Sequence, residues 1–202
     1  EVNLQFFNPK FGLHHALNDN QSLYASFGVA NKEPNRSDYT ESTPESRPTH
    51  ETLYDTEIGY KQTGHKIIFG ANLYFMNYKN QLVMTGKLND VGERTHVNVA
   101  KSFRKGIEIE GTYKLTEKLT WAANMTLSEN KIVTSFIEHV DNWDTGGVDE
   151  VSHENTNLAF SPNVIWASQF NYKLGNNISI DFISKYVEKQ FIDNTSSEDR
   201  ML

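Results

Sequence analysis

The chain has no cysteine. That excludes a disulfide scaffold and any thiolate nucleophile or thiolate metal ligand. It has no run of about 18 apolar residues, so no helical membrane span is expected. Mean hydropathy is -0.60 and apolar residues make up only 37%. Neither figure excludes a membrane, because strands that alternate apolar and polar residues average to a hydrophilic value. Positive charge is scarce: 19 Lys and Arg stand against 26 Asp and Glu, and the net charge of -7 argues against a general binder of nucleic-acid phosphates. Prolines number five, and Pro34, Pro44 and Pro48 fall in one polar stretch from Lys32 to His50, which argues against a continuous central strand there. No basic segment followed by an apolar one opens the chain, so no secretory leader is read at Glu1.

What is present is alternation. From Phe103 to Leu115 the odd positions carry Phe103, Ile107, Ile109, Tyr113 and Leu115, and the even positions carry Arg104, Glu108, Glu110, Thr112 and Lys114. After Thr116-Glu117-Lys118 the pattern resumes, with Leu119, Trp121, Ala123, Met125 and Leu127 against Thr120, Asn124, Thr126 and Ser128. Side chains on a strand point to opposite faces with a period of two, so both segments read as strands with one apolar and one polar face. Each runs to about a dozen residues, where globular strands average about 5–6. A tilted strand needs roughly 9–11 residues to cross the hydrocarbon core of a bilayer. Aromatic residues at 12% suit such strands and their interfacial girdles.

The same reading extends along the chain. Phe6 to Leu17 and Gln21 to Asn31 alternate around Asn18-Asp19-Asn20. Glu51 to Gln62 and Lys66 to Tyr78 alternate around Thr63-Gly64, and Gln81 to Met84 is a short apolar piece able to extend the latter. Phe160 to Leu174 and Ile178 to Glu188 alternate around Gly175-Asn176-Asn177. Asn80 to His96, with Asn89-Asp90 and Gly92, and Ile132 to Asn157 read as loops, and Phe191 to Leu202 as a polar tail. The expected fold is all-β: an antiparallel up-and-down transmembrane β-barrel segment of about eight long strands. Short turns near Asn18, Gly64, Glu117 and Gly175 alternate with long connections near Thr40, Gly86 and Asp144, as short periplasmic turns alternate with long extracellular loops in such barrels. Ile107, Ile109, Leu119, Trp121, Ala123, Met125 and Leu127 are expected on the lipid side. Glu108, Glu110, Asn124 and Thr126 are expected on the lumen side.

Candidate chemistry is sparse. His14 and His15 are adjacent, so on a strand their rings point apart and do not share a metal ion. Glu108 and Glu110 share a face about 7 Å apart, a spacing a paired-carboxylate hydrolase uses, but a polar lumen wall explains them better. The acidic stretch from Asp141 to Glu154 lacks the spacing and central glycine of a calcium loop. No nucleophile–base pair, phosphate loop or basic stripe is found. No catalytic residue, metal site, cofactor or nucleic-acid partner is expected.

The strings FNPKFGLHHALNDNQSLYASFGVANKEPNRSDY, ETLYDTEIGYK, FGANLYFMNYKNQLV, NVAKSFRKGIEIEGTYKL and QFIDNTSSEDR, taken in this order, resemble the C-terminal barrel half of TonB-dependent outer-membrane receptors. The resemblance covers nearly all the chain. It implies a 22-stranded barrel closed by an N-terminal plug. Members import iron–siderophore complexes, cobalamin, haem or glycans, driven through the inner-membrane TonB complex. No plug, no TonB-interacting segment and no terminal strand ending in an aromatic residue is read here. Residues 1–202 are therefore expected to be one partial barrel domain. The implied localisation is the bacterial outer membrane. The implied partners are outer-membrane lipid, a small-molecule nutrient (iron chelate, cobalamin or glycan) and the TonB complex, the last through parts outside this chain. The resemblance also puts Asn35, Arg36 and Asp38 in an extracellular loop, where Arg36 suits an anionic ligand group. Two rival readings stay open: a complete eight-stranded barrel acting as an anchor or adhesin, and a soluble β-rich carbohydrate-binding module.

Overall fold

A computed structural model describes residues 4–40, 42, 47–88, 94–175 and 177–202. Pro44, Asn89 to Gly92 and Asn176 lie outside them. The elements in chain order are β1 (Lys10–Asn18), β2 (Gln21–Lys32), α1 (Arg36–Thr40), β3 (Glu51–Thr63), β4 (Ile67–Leu88), β5 (Arg94–Lys114), β6 (Leu119–Ile132), β7 (Phe136–Asn142), β8 (Gly147–His153), β9 (Thr156–Asn157), β10 (Val164–Lys173) and β11 (Ser179–Val187). A nine-stranded antiparallel sheet runs β1-β2-β3-β4-β5-β6-β10-β11, with β9 paired to β6 beside that path. β7 and β8 form a separate two-stranded hairpin.

Turn residues set the register. The Asn18 side chain accepts a hydrogen bond from the Asn20 amide at 2.9 Å. The Thr116 hydroxyl accepts from the Lys118 and Leu119 amides at 3.2 and 2.9 Å. Such side-chain-to-backbone bonds fold the chain back within a few residues. Between β5 and β6 the register then matches Ile107 with Leu127, Ile109 with Met125 and Tyr113 with Trp121 on one face. On the other face it matches Glu108 with Thr126 and Glu110 with Asn124. A slip of one residue would bring polar side chains onto the apolar face. The apolar face continues through Leu73 opposite Ile107 on β4, Ile58 on β3, Ala25 on β2 and Leu13 on β1. In the other direction it continues through Trp166 opposite Met125 on β10 and Tyr186 on β11.

The structure differs from the sequence reading in four places. β4 and β5, at 22 and 21 residues, run well past the apolar band, so most of Asn80 to His96 is paired strand. Asn80 takes φ 55 within β4, a left-handed conformation asparagine tolerates better than most residues. Ile132 to Asn157 is not an open connection but contains the β7–β8 hairpin and β9. The tail folds back on itself, with Phe191 bridged to Met201. Within the proline-bearing stretch, α1 adds a helix of 5 residues. No ladder joins β1 to β11 among the described residues, and the sheet is open at both edges. Closure into a small eight-stranded barrel would have required that ladder.

The buried core sits at the long-loop end, not in the body of the sheet. Val83, Val99, Ile132, Phe136 and Leu158 form one cluster, with Val97 packed against it. These residues come from β4, β5, β6, β7 and the segment after β9, so the hairpin is held to the sheet by apolar contact.

Candidate functional site

Three regions carry polar chemistry. The first is the loop with α1. Asn35 and Arg36 are exposed. Asp38 turns inward: its Oδ2 accepts from the Asn35 amide at 2.7 Å, and its Oδ1 lies 3.0 Å from His96 Nδ1. Its side chain is only 6% exposed, which commits it to holding the loop. Paired hydrogen bonds between Thr49 and Asn98, at 2.8 and 3.0 Å, tie the same loop to β5. Of the three residues marked from the sequence, Asn35 and Arg36 are exposed, and Asp38 is bonded to the Asn35 amide and to His96.

The second region is the polar face of the sheet. β3 presents Asp55 and Glu57, β4 presents Asn72 and Tyr74, and β5 presents Arg104, Glu108 and Glu110, all of one parity in the ladders. Two glycines let tyrosines of the next strand lie across the sheet. A Cβ at Gly59 would collide with the Tyr24 ring, and one at Gly106 with the Leu127 carbonyl oxygen and the Tyr74 hydroxyl. Tyr24, Lys61, Asn72, Glu108, Glu110 and Thr126 line a depression of about 360 Å³. Asp55 Oδ1 and Asn72 Oδ1 are buried without a hydrogen bond, which is uncommon for buried polar atoms. Arg104 Nη1 donates to Ser161 Oγ at 2.8 Å near the loop end. The face thus offers acceptors, hydroxyl groups, the Lys61 ammonium and the Arg104 guanidinium. His14 pairs across from Tyr24 on this face and His15 from Leu23 on the opposite one, so the two rings are separated by the sheet. Among the described residues no three His, Asp or Glu side chains gather as a metal site.

The third region is a charged network at the loop end that sequence reasoning missed. Glu138 on β7 accepts from Arg200 Nη1, and His153 Nε2 on β8 lies 2.8 Å from Glu138 Oε2. Arg200 Nη1 also donates to Asp193 Oδ2 at 2.8 Å. The Glu138 side chain is 8% exposed, so its charge depends on these partners. Hydrogen bonds to Glu138 and Asp193 hold the Arg200 guanidinium above its usual range. Burial works against ionisation of Asp193. The hydroxyl and amide of Thr195, with Arg200, outweigh it and keep that carboxyl below the ordinary range. Nearby, buried Asn194 donates to the Met84 carbonyl at 3.0 Å and accepts from the Ala159 amide at 2.8 Å. The network links residues 62 positions apart, beyond the reach of local pattern.

The family model for the TonB-dependent receptor-like β-barrel matches residues 2–196. No curated protein matches. Among solved structures, the chain is similar to the siderophore receptor PiuA of Acinetobacter baumannii, at 17% identity and TM-score 0.69, over 92% of this chain and 27% of that one. It is similar to the ferric yersiniabactin uptake receptor FyuA of Yersinia pestis, at 12% identity and TM-score 0.68, over 95% and 27%. It is also similar to the ferric-catecholate import receptor Fiu of Escherichia coli K12, at 18% identity and TM-score 0.63, over 90% and 24%. The chain spans about a quarter of the length of these receptors, and at such identities the likeness is one of fold.

Proposed function

As this chain belongs to the TonB-dependent receptor β-barrel family, we propose that it forms part of the wall of a bacterial outer-membrane receptor that takes up a scarce small nutrient. The carrying observation is the ladder register that joins apolar side chains from β1 to β11 on one face. On this reading that face meets lipid and the polar face lines the lumen. Glu57, Glu108 and Glu110, which share that face, suit a polar lumen wall. A plug domain, the remaining strands and the contact with the TonB complex belong to other parts of the protein. The nutrient is an iron chelate, the ligand class named for PiuA, FyuA and Fiu, with cobalamin or a glycan as the alternatives. Exposed Asn35 and Arg36, beside Asp38, meet the ligand at the loop end. The role is transport and binding, without catalysis.

The soluble carbohydrate-module reading fits poorly with this face. Leu13 is 79% exposed and Phe182 66% exposed, at opposite edges of one sheet, and soluble monomers rarely leave contiguous apolar patches beyond a few hundred Å². The test is twofold. Cell fractionation should recover the natural protein from outer membranes. A deletion strain should lose uptake of iron supplied as ferric siderophore and regain it on complementation. Recovery in the soluble fraction sinks the membrane reading. Outer-membrane recovery with unimpaired uptake of ferric siderophore, cobalamin and glycan alike sinks the transport reading alone.

A further inference from the structure

Four lysines converge on the apolar face just beyond its last apolar row. Ile107 opposes Leu73 and Leu127 there. One step toward the loops, Lys105 stands between Phe75 and Glu129. The next row holds Phe103 between Asn77 and Lys131, and the row after it sets Lys79 directly opposite Lys101. Alternation gives all of these the parity of Ile107, so they project from the same face. Lys105 Nζ lies 2.8 Å and Lys131 Nζ 3.3 Å from the two oxygens of Glu129. Lys105 Nζ also sits 4.8 Å above the Phe103 ring.

The charges do not balance. Two of the four ammonium groups share one carboxylate, in a chain whose net charge is -7. Among the described residues Lys79 and Lys101 make no ion pair, and like charges directly opposite on a sheet destabilise it. An anion between them removes that cost. The rows below are apolar and aromatic, so an occupant carrying acyl chains under an anionic head satisfies both halves at once. We propose that Lys79, Lys101, Lys105 and Lys131 bind the phosphate headgroup of an anionic lipid in the leaflet on the loop side, with Phe75, Ile107 and Leu127 against its acyl chains. The proposal rests on the reading that this face meets lipid.

The test places a photo-crosslinker at the rim, Phe75→p-benzoylphenylalanine, in the natural protein. The protein is reconstituted in phosphatidylcholine nanodiscs containing a minor fraction of phosphatidic acid. Both lipids should be captured, with phosphatidic acid preferred by about tenfold over its mole fraction, on the scale of a few basic residues near an anionic surface. The pair Lys79→Gln and Lys101→Gln, which breaks no ion pair, should lower that preference. Adding Lys105→Gln and Lys131→Gln should abolish it while capture of phosphatidylcholine persists, which shows the face still folded in lipid. Equal capture of the two lipids by the unmodified site overturns the proposal and leaves the lipid-facing reading intact. Capture of neither lipid overturns both.

Discussion

The body of the sheet and its loop-end cap solve opposite problems with the same chain. In the body, large apolar side chains stay exposed: Phe11, Ile58, Leu73, Trp166 and Phe182 all belong to one face and none joins a core. In the cap, Val83, Val99, Ile132, Phe136 and Leu158 are buried together, and Glu138, Thr156 and Asn194 are buried beside them. Backbone ladders hold the body whatever lies on its faces. The cap holds only if water leaves its interior and its buried charged and amide groups find partners, as Glu138 and Asn194 do. On the lipid-facing reading the body finishes its burial in another medium, and the cap finishes its own.

The largest effect expected from breaking this contrast is in the cap. Ile132 is fully buried at 0% exposure, and Ile132→Ala removes packing from a cluster fed by four other segments, at a cost of about 2–5 kcal/mol. Hydrogen exchange should show β7, β8 and segment 189–202 released, with β1 to β3 unchanged. Exchange that rises equally in β1 would mean that cap and body form one cooperative unit.

Next comes the body. Ala123→Arg puts a charge in the middle of the apolar face and should cost about 2–4 kcal/mol in folding titrations into lipid vesicles. Asn124→Arg, one residue along on the polar face, should cost far less. Equal penalties would erase the distinction between the faces, and a reversed order would exchange their assignment.

Third is the charged network. Arg200→Ala leaves the Glu138 carboxylate to His153 alone. The Arg200 side chain is 38% exposed, so solvent screens part of its contribution and the expected loss is about 1–3 kcal/mol. Proteolysis should cut the residues after Lys189 in the variant and spare them in the parent. Unchanged protection would make the network incidental to docking of the tail.

The contrast also explains what could be read in advance. The body follows a local rule: alternation such as Ile107, Glu108, Ile109, Glu110 announces strand and facing together, and Asn18 and Thr116 mark the turns. The cap follows no local rule. Glu138, His139 and Asp141 look like a polar loop, yet Glu138 faces inward because Arg200, far along the chain, meets it there. Asn194 looks like part of a polar tail until the carbonyl of Met84, 110 residues away, accepts its amide. Asp38, in the same loop as Asn35, meets His96, 58 residues further along the chain. Long-range partners of polar side chains decide the cap, and periodicity carries no record of them.

The smallest expected effect concerns acid, and it separates the two regions without changing a residue. The Asp193 carboxyl is held below its usual range in the folded cap, against its burial, by Thr195 and Arg200. In the unfolded chain it titrates near the ordinary aspartate value of about 3.9. A group whose folded pKa is depressed contributes stability that is complete above the unfolded value and is lost as pH falls through the folded one. The docking of segment 189–202 should therefore be constant from neutral pH down to about 5 and weaken below about 4. Amide exchange within Ile192 to Ser197, measured across that window and corrected for intrinsic rates, should accelerate as acid is added, while the ladder between β2 and β3 keeps its protection. Asp193→Asn should flatten this particular dependence because the titrating group is gone. Faster opening on raising the pH, or an acid dependence that survives Asp193→Asn unchanged, would assign the sensitivity to other groups and remove Asp193 from the account of how the tail is held.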